Sequence, residues 1–198
     1  MNSSENPNEA ATTLVRSRYQ RLSVLYDQME RMAEWRYSPW RTNLWRQVKG
    51  PKVIEVGVGT GKNLPFYPTH MQFSSIDLTP GMLERARKRA AELRLNPDLR
   101  LADVQALEFP DASFDTAVAT FVFCSVPDPV LGLRELKRVV KPGGQVLLLE
   151  HMRSANQIVG SLMDLINPIV VRLMGANINR RTVENVQESG LALERVED

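Results

Sequence analysis

A chain of 198 residues, 43% hydrophobic and 24% charged, is one domain's worth; these values exclude fibrous and disordered chains and require no metal or disulfide to complete a core. The single cysteine, Cys124, cannot form an internal disulfide, which points to a reducing compartment. A formal net charge of +2 announces no nucleic-acid partner, although Leu14 to Lys49 is locally basic, with eight Lys and Arg residues against three acids.

Residues 1–13, MNSSENPNEAATT, read as a solvated, disordered tail without an export signal, so the cytoplasm is the expected location. Residues 14–49 form an N-terminal helical cap. Val15, Tyr19, Leu22, Tyr26, Met29 and Ala33 recur at spacings of three and four and share one face of an amphipathic helix. A second helix is expected around Pro39 to Val48. Trp35, Trp40 and Trp45 alternate there with Arg36, Arg41 and Arg46, a basic aromatic stretch that suits peripheral contact with anionic lipid.

Residues 50–198 repeat a strand-turn-helix unit. KVIEV is a first strand, GVGTG a turn and KNLPF a brief helix. FSSID is followed by a long helix with Thr79 as N-cap and Pro80 in its first position. LRLAD is a short third strand. FDTAVATFVF, apolar on both faces, is the fourth, DPVLGLRELKRVV the next helix and QVLLLEH the fifth strand.

Residues 152–178 form a helical insertion. Its apolar run from Ile158 is broken by Asp164, Asn167, Pro168 and Arg172, which disfavours a membrane span but leaves contact with a membrane surface open. A helix starting near Asn179, with Asn177 or Asn179 as N-cap, and a sixth strand, LALERVE, complete the chain. The expected fold class is α/β: a Rossmann-like, doubly wound, mostly parallel sheet with helices on both faces. Ligands of such sheets sit beyond the carboxyl ends of the strands.

Gly57, Gly59 and Gly61 directly after a strand admit torsions closed to other residues and let a ligand approach the main chain. A dinucleotide fingerprint fails because Lys62 stands where its third small residue belongs. A phosphate-binding loop fails at Val56 and Asn63. What remains is a nucleoside without phosphates, suited by the carboxylate of Glu55, with Asp77 ending the second strand and Asp103 the third as acceptors for ribose hydroxyls and an adenine amine.

Through VIEVGVGTG, IDLTPGML, ADVQALEFPDASFD and LKRVVKPGGQVLLLEH, from about Arg16 onward, the sequence resembles the class I S-adenosylmethionine-dependent methyltransferases. It is most similar to their ubiquinone/menaquinone, phospholipid N- and alkyl-thiol methyltransferase groups. The resemblance implies that Glu55, Gly57, Gly59 and Gly61 cradle the methionine part. Asp77, with Leu78 and Met82 beside it, would take the ribose side, and Asp103 with the Val104 amide would read adenine. Thr120 or Phe121 main chain would receive the amino group, and Tyr19 and Tyr26 would close the pocket. It also implies a seventh strand that residues up to Asp198 do not supply.

His151, at the mouth of the fifth strand, is the candidate general base. Cys124 is expected to be a small buried hydrophobe. The acceptor is expected to be small and lipophilic, a thiol, quinol precursor or phospholipid amine, with no metal and no nucleic acid. A non-catalytic S-adenosylmethionine-binding module and a nucleic-acid methyltransferase are the competing readings.

Overall fold

The computed structural model describes residues 7–24, 26–154 and 156–197. Five parallel strands, β1 (Lys52–Val56), β2 (Gln72–Asp77), β3 (Asp98–Leu101), β4 (Phe114–Thr120) and β5 (Val140–Leu149), form one sheet in the order β3-β2-β1-β4-β5. The central strand is apolar in both directions: Val53, Ile54 and Val56 are all fully buried. Successive side chains leave a strand on opposite faces. Ile54 and Val56 therefore meet Leu133, Leu136 and Val139 of α4 (Pro129–Val139) and Val186 of α6 (Thr182–Glu188). Val53 meets the other layer, Leu44 and Trp45 of α2 (Tyr26–Arg46) and Ala90 of α3 (Pro80–Glu92).

Local chemistry sets the helix starts. The Asp128 carboxylate accepts the Leu131 N–H at 2.9 Å ahead of Pro129, a side-chain cap. Thr79 holds the N-cap position of α3, as expected, but its hydroxyl makes no capping bond. The adjacent Asp77 carboxylate accepts the Thr79 N–H instead, at 2.8 Å.

Several boundaries depart from expectation. Helix α1 (Pro7–Leu22) begins inside the segment read as a tail; Thr12 Oγ1 accepts a bond from Gln105 at 3.1 Å, a tertiary anchor that composition cannot reveal. The single helix expected from Val15 to Ala33 is divided. Ser23 N–H and Oγ close the end of α1 onto Tyr19 and Gln20 carbonyls, and Arg85 of α3 reaches the Val24 carbonyl. Of the expected face, the side chains of Met29 and Ala33 lie outside the described residues.

Pro39 does not start a helix but sits within α2. Tyr37 packs on Phe121 and Trp45 on Tyr67, so burial on both sides of the proline offsets its lost hydrogen bond. Helix α6 starts at Thr182 after Arg181, and neither Asn177 nor Asn179 caps it. Residues 191–197 form no strand, Leu193 and Val196 are exposed, and β5 is the edge of the sheet among the described residues. The insertion is one helix, α5 (Gln157–Met174), with Asn156 as its N-cap. No helix among the described residues is long and apolar enough to cross a membrane.

Leu136→Ala should cost about 2–5 kcal/mol in urea unfolding, because the helix-sheet core cannot collapse around the lost volume. Leu165→Ala, on an exposed face of α5, should change stability by no more than about 0.5 kcal/mol.

Candidate active site

The strand order reverses between β1 and β4, which opens a crevice above their carboxyl ends. Gly57 (φ +66°) and Gly59 (φ +56°) line it in left-handed conformations. A Cβ on Gly57 would lie 2.4 Å from Val122 Cγ2, so a side chain here would force the loop after β4 away. A Cβ on Gly59 would meet nothing closer than the Gly57 carbonyl oxygen at 3.9 Å and would occupy the pocket itself.

Asp77 stands at the end of β2. Its Oδ2 accepts the Gly59 N–H at 2.9 Å and its Oδ1 the Thr79 N–H, so one carboxylate ties the glycine turn to the start of α3. Burial raises its pKa, against the lowering effect of these two amides. Asp103, beyond β3, is held by Gln105, whose backbone N–H and side-chain amide reach Oδ1 at 2.9 and 3.1 Å, while the same amide reaches Oδ2 at 3.0 Å. The Gln105 oxygen accepts the Asp128 N–H, locking the rotamer.

The expected residues Gly57, Gly59, Asp77, Leu78 and Met82 all line this pocket, and Asp103, Val104, Thr120 and Phe121 line it from the other side. Tyr19 and Tyr26 close over it, their rings 6.3 Å apart, and the Tyr19 hydroxyl shares a hydrogen bond with Ser125 at 3.0 Å. Phe121 adopts φ +57°, rare for an aromatic residue. Its N–H bonds the Leu149 carbonyl at 2.7 Å, so the turn is fixed from β5.

Three expected residues lie elsewhere. Glu55 is not at the lip of the turn: strand alternation sends it beneath the cap, fully buried, where Asn63 donates to Oε1 at 2.5 Å and the Tyr67 hydroxyl to Oε2. Asn63 also accepts from Arg41 at 2.8 Å and donates to Thr120 at 3.1 Å, so it joins α2 to the pocket wall beside Glu55. Gly61 (φ +81°) is a packing glycine; its Cβ would lie 2.6 Å from Leu64 Cδ1 and 3.2 Å from Ala86 Cα. His151 is not in the wall but stacks on the Phe121 ring at 4.5 Å and meets Tyr37 edge-on at 5.7 Å.

The wall also holds residues to which the sequence assigned no role in the site. Gln105, Val15 and Ser125 line the pocket. Glu150 supports it from behind, its Oε1 accepting the Val122 and Phe123 N–H groups at 2.8 and 3.0 Å. Burial pushes the Cys124 thiol up to about 12, with Glu150 adding to the effect, so it is an inert buried group, as its sequence context implied.

Burial also pushes Glu55 and Glu150 up to about 7 from an ordinary 4.5. Between those values the folded chain holds protons that the unfolded chain has released. The stability they contribute is complete below about pH 4.5 and is lost as pH rises through about 7, on the order of a few kcal/mol. The melting temperature should fall across that window. Glu150→Gln keeps the acceptor oxygen but cannot ionise, so its decline should be shallower; identical slopes would contradict the assignment.

Residues 54–148 match the family model described as a methyltransferase domain. The chain is 42% identical over 113 residues to a phosphatidylethanolamine N-methyltransferase of Cereibacter sphaeroides, a match covering 56% of each chain. It is 29% identical to a demethylmenaquinone methyltransferase of Staphylococcus aureus, over 85% of this chain and 73% of the relative. The chain thus spans little more than half the length of the first of these relatives. Among solved structures, a SAM-dependent methyltransferase of Thermotoga maritima superposes with a TM-score of 0.70 at 21% identity, covering 88% of this chain and 80% of that one, which shows the shared fold. The chain thus has the Rossmann-like fold of the class I methyltransferases, and its residues 54–148, which hold the glycine turn, match a methyltransferase domain.

Proposed function

We propose that the pocket binds S-adenosylmethionine and that the chain transfers its methyl group to a small lipophilic acceptor bearing a nucleophilic nitrogen, sulfur or carbon. The observation that carries this reading is the convergence of Asp77, Asp103 and the bare main chain at Gly57 and Gly59 on one pocket. The described lining includes no lysine or arginine, so a pyrophosphate would face two carboxylates with no cation to offset them. An uncharged ribose and adenine, which offer donors, fit acceptors.

Each Asp77 oxygen already holds one amide and retains capacity for a ribose hydroxyl. Asp103, pre-oriented by Gln105, accepts the exocyclic amine, beside the Val104 amide. The Gly57 and Gly59 main chain and the Thr120–Phe121 segment receive the amino-acid part, and Tyr19 and Tyr26 exclude water. When bound, S-adenosylmethionine supplies a methyl group made electrophilic by its positive sulfur. The protein's contribution is alignment, which can supply much of the rate in a direct displacement.

Apolar walls at Val15, Phe121, Val122 and Val126 suit a lipophilic acceptor. The relatives named for phosphatidylethanolamine and demethylmenaquinone support the same class. His151 acts here as a positioning residue that holds Phe121 by stacking.

Calorimetric titration with S-adenosylhomocysteine should show binding that Asp103→Ala weakens by about 10- to 100-fold, the loss of a charge-assisted bond; unchanged affinity would contradict the site. A mass-spectrometric screen of phosphatidylethanolamine, quinols and thiols should find a methylated product. On that acceptor, His151→Phe, which preserves the stack, should keep the rate within about threefold, whereas removal of a general base would cost about 100-fold or more.

A further inference from the structure

Helix α5 turns an apolar stripe outward. Its apolar residues Ile158, Leu162, Leu165 and Ile169 are 82, 56, 75 and 63% exposed, and at spacings of four, three and four they form one stripe. The opposite side, with Gly160, Met163, Asn167 and Val170, is less exposed and faces the protein. Asn167 donates to Asn177 at 3.1 Å and accepts the Ile178 N–H at 3.0 Å, and Gly160 lies against the Arg153 guanidinium. The helix is thus anchored on its inner side, in part through Asn167, and keeps a hydrophobic stripe turned outward. The stripe contains no acid and continues to the exposed Arg172.

We infer that this stripe docks on the surface of an anionic lipid bilayer, with α5 lying in the interfacial plane. Area favours lipid over a second copy of the chain. Eighteen residues make a helix about 27 Å long and about 10 Å wide, so one face offers roughly 270 Å². A stable protein interface needs about 800 Å² from each partner. An interfacial helix requires only that its apolar side enter the headgroup boundary, where a cation such as Arg172 meets anionic lipid.

The placement also deepens the proposed function, and this part rests on that reading: the bilayer is the source of the lipophilic acceptor. Asn177 donates to the Cys124 carbonyl through its backbone N–H at 2.8 Å and its side chain at 3.0 Å. The next residue, Ser125, lines the pocket and pairs with Tyr19. A hydrogen-bonded path therefore joins the inner side of α5 to the pocket wall.

The test is sedimentation of the chain with vesicles of phosphatidylcholine alone or mixed with phosphatidylglycerol. The wild type should pellet with the mixed vesicles, and the double variant Leu165→Ser, Ile169→Ser should bind at least about ten-fold less. Both positions are exposed, so the variant should keep the wild-type melting temperature. Absence of wild-type pelleting, or equal pelleting of both proteins, overturns the inference. So does a wild-type dimer in analytical ultracentrifugation that the variant abolishes, since the stripe would then be a protein interface. Calorimetry with S-adenosylhomocysteine on both proteins separates the two claims: intact nucleoside binding without vesicle binding sinks only the docking surface.

Discussion

One carboxylate organises the crevice. Asp77 accepts the Gly59 N–H with one oxygen and the Thr79 N–H with the other, so the turn after β1 and the first turn of α3 share an anchor at the end of β2. The glycines supply torsions that other residues resist, and the aspartate selects one conformation from that freedom. Because both amides donate to the same charged group, the bonds are stronger than neutral ones. Pocket shape, helix start and acceptor geometry thus depend on a single side chain.

Around that anchor, buried polar networks couple the cap to the sheet. Glu55 receives Asn63 and Tyr67, Asn63 touches both Arg41 of α2 and Thr120 of β4, and Asp27 accepts from Thr60 at 2.6 Å and from Arg89 at 3.1 Å. The cap thereby closes over the crevice by hydrogen bonding as well as by apolar contact. On the opposite flank Glu150 holds the amides of Val122 and Phe123. Two carboxyls with pKa values raised to about 7 by burial mark these supports, an arrangement that favours a defined geometry at some cost in stability near neutral pH.

The parallel sheet was legible because strand runs such as FDTAVAT are apolar on both faces and alternate with helices punctuated by proline and glycine. Asp77 and Asp103 were legible because one ends a strand and the other lies just beyond one, and a strand end is a position that sequence can locate. Glu55 and His151 point elsewhere than the sequence suggested, because nearness in sequence to the crevice does not fix the direction of a side chain. Gln105 and Glu150 were invisible because their roles depend on tertiary partners, the Asp103 carboxylate and the amides of a loop 28 and 27 residues away. The break at Ser23 and the continuity through Pro39 were likewise decided by packing against α3, Phe121 and Tyr67 rather than by local preference.

The most direct measurement is a crystal structure of the chain soaked with S-adenosylhomocysteine. The account predicts ribose hydroxyls on the Asp77 carboxylate, the adenine amine on Asp103 and the amino-acid chain along Gly57 and Gly59. Density for the nucleoside away from these residues, or bound there with neither carboxylate in contact, would contradict it.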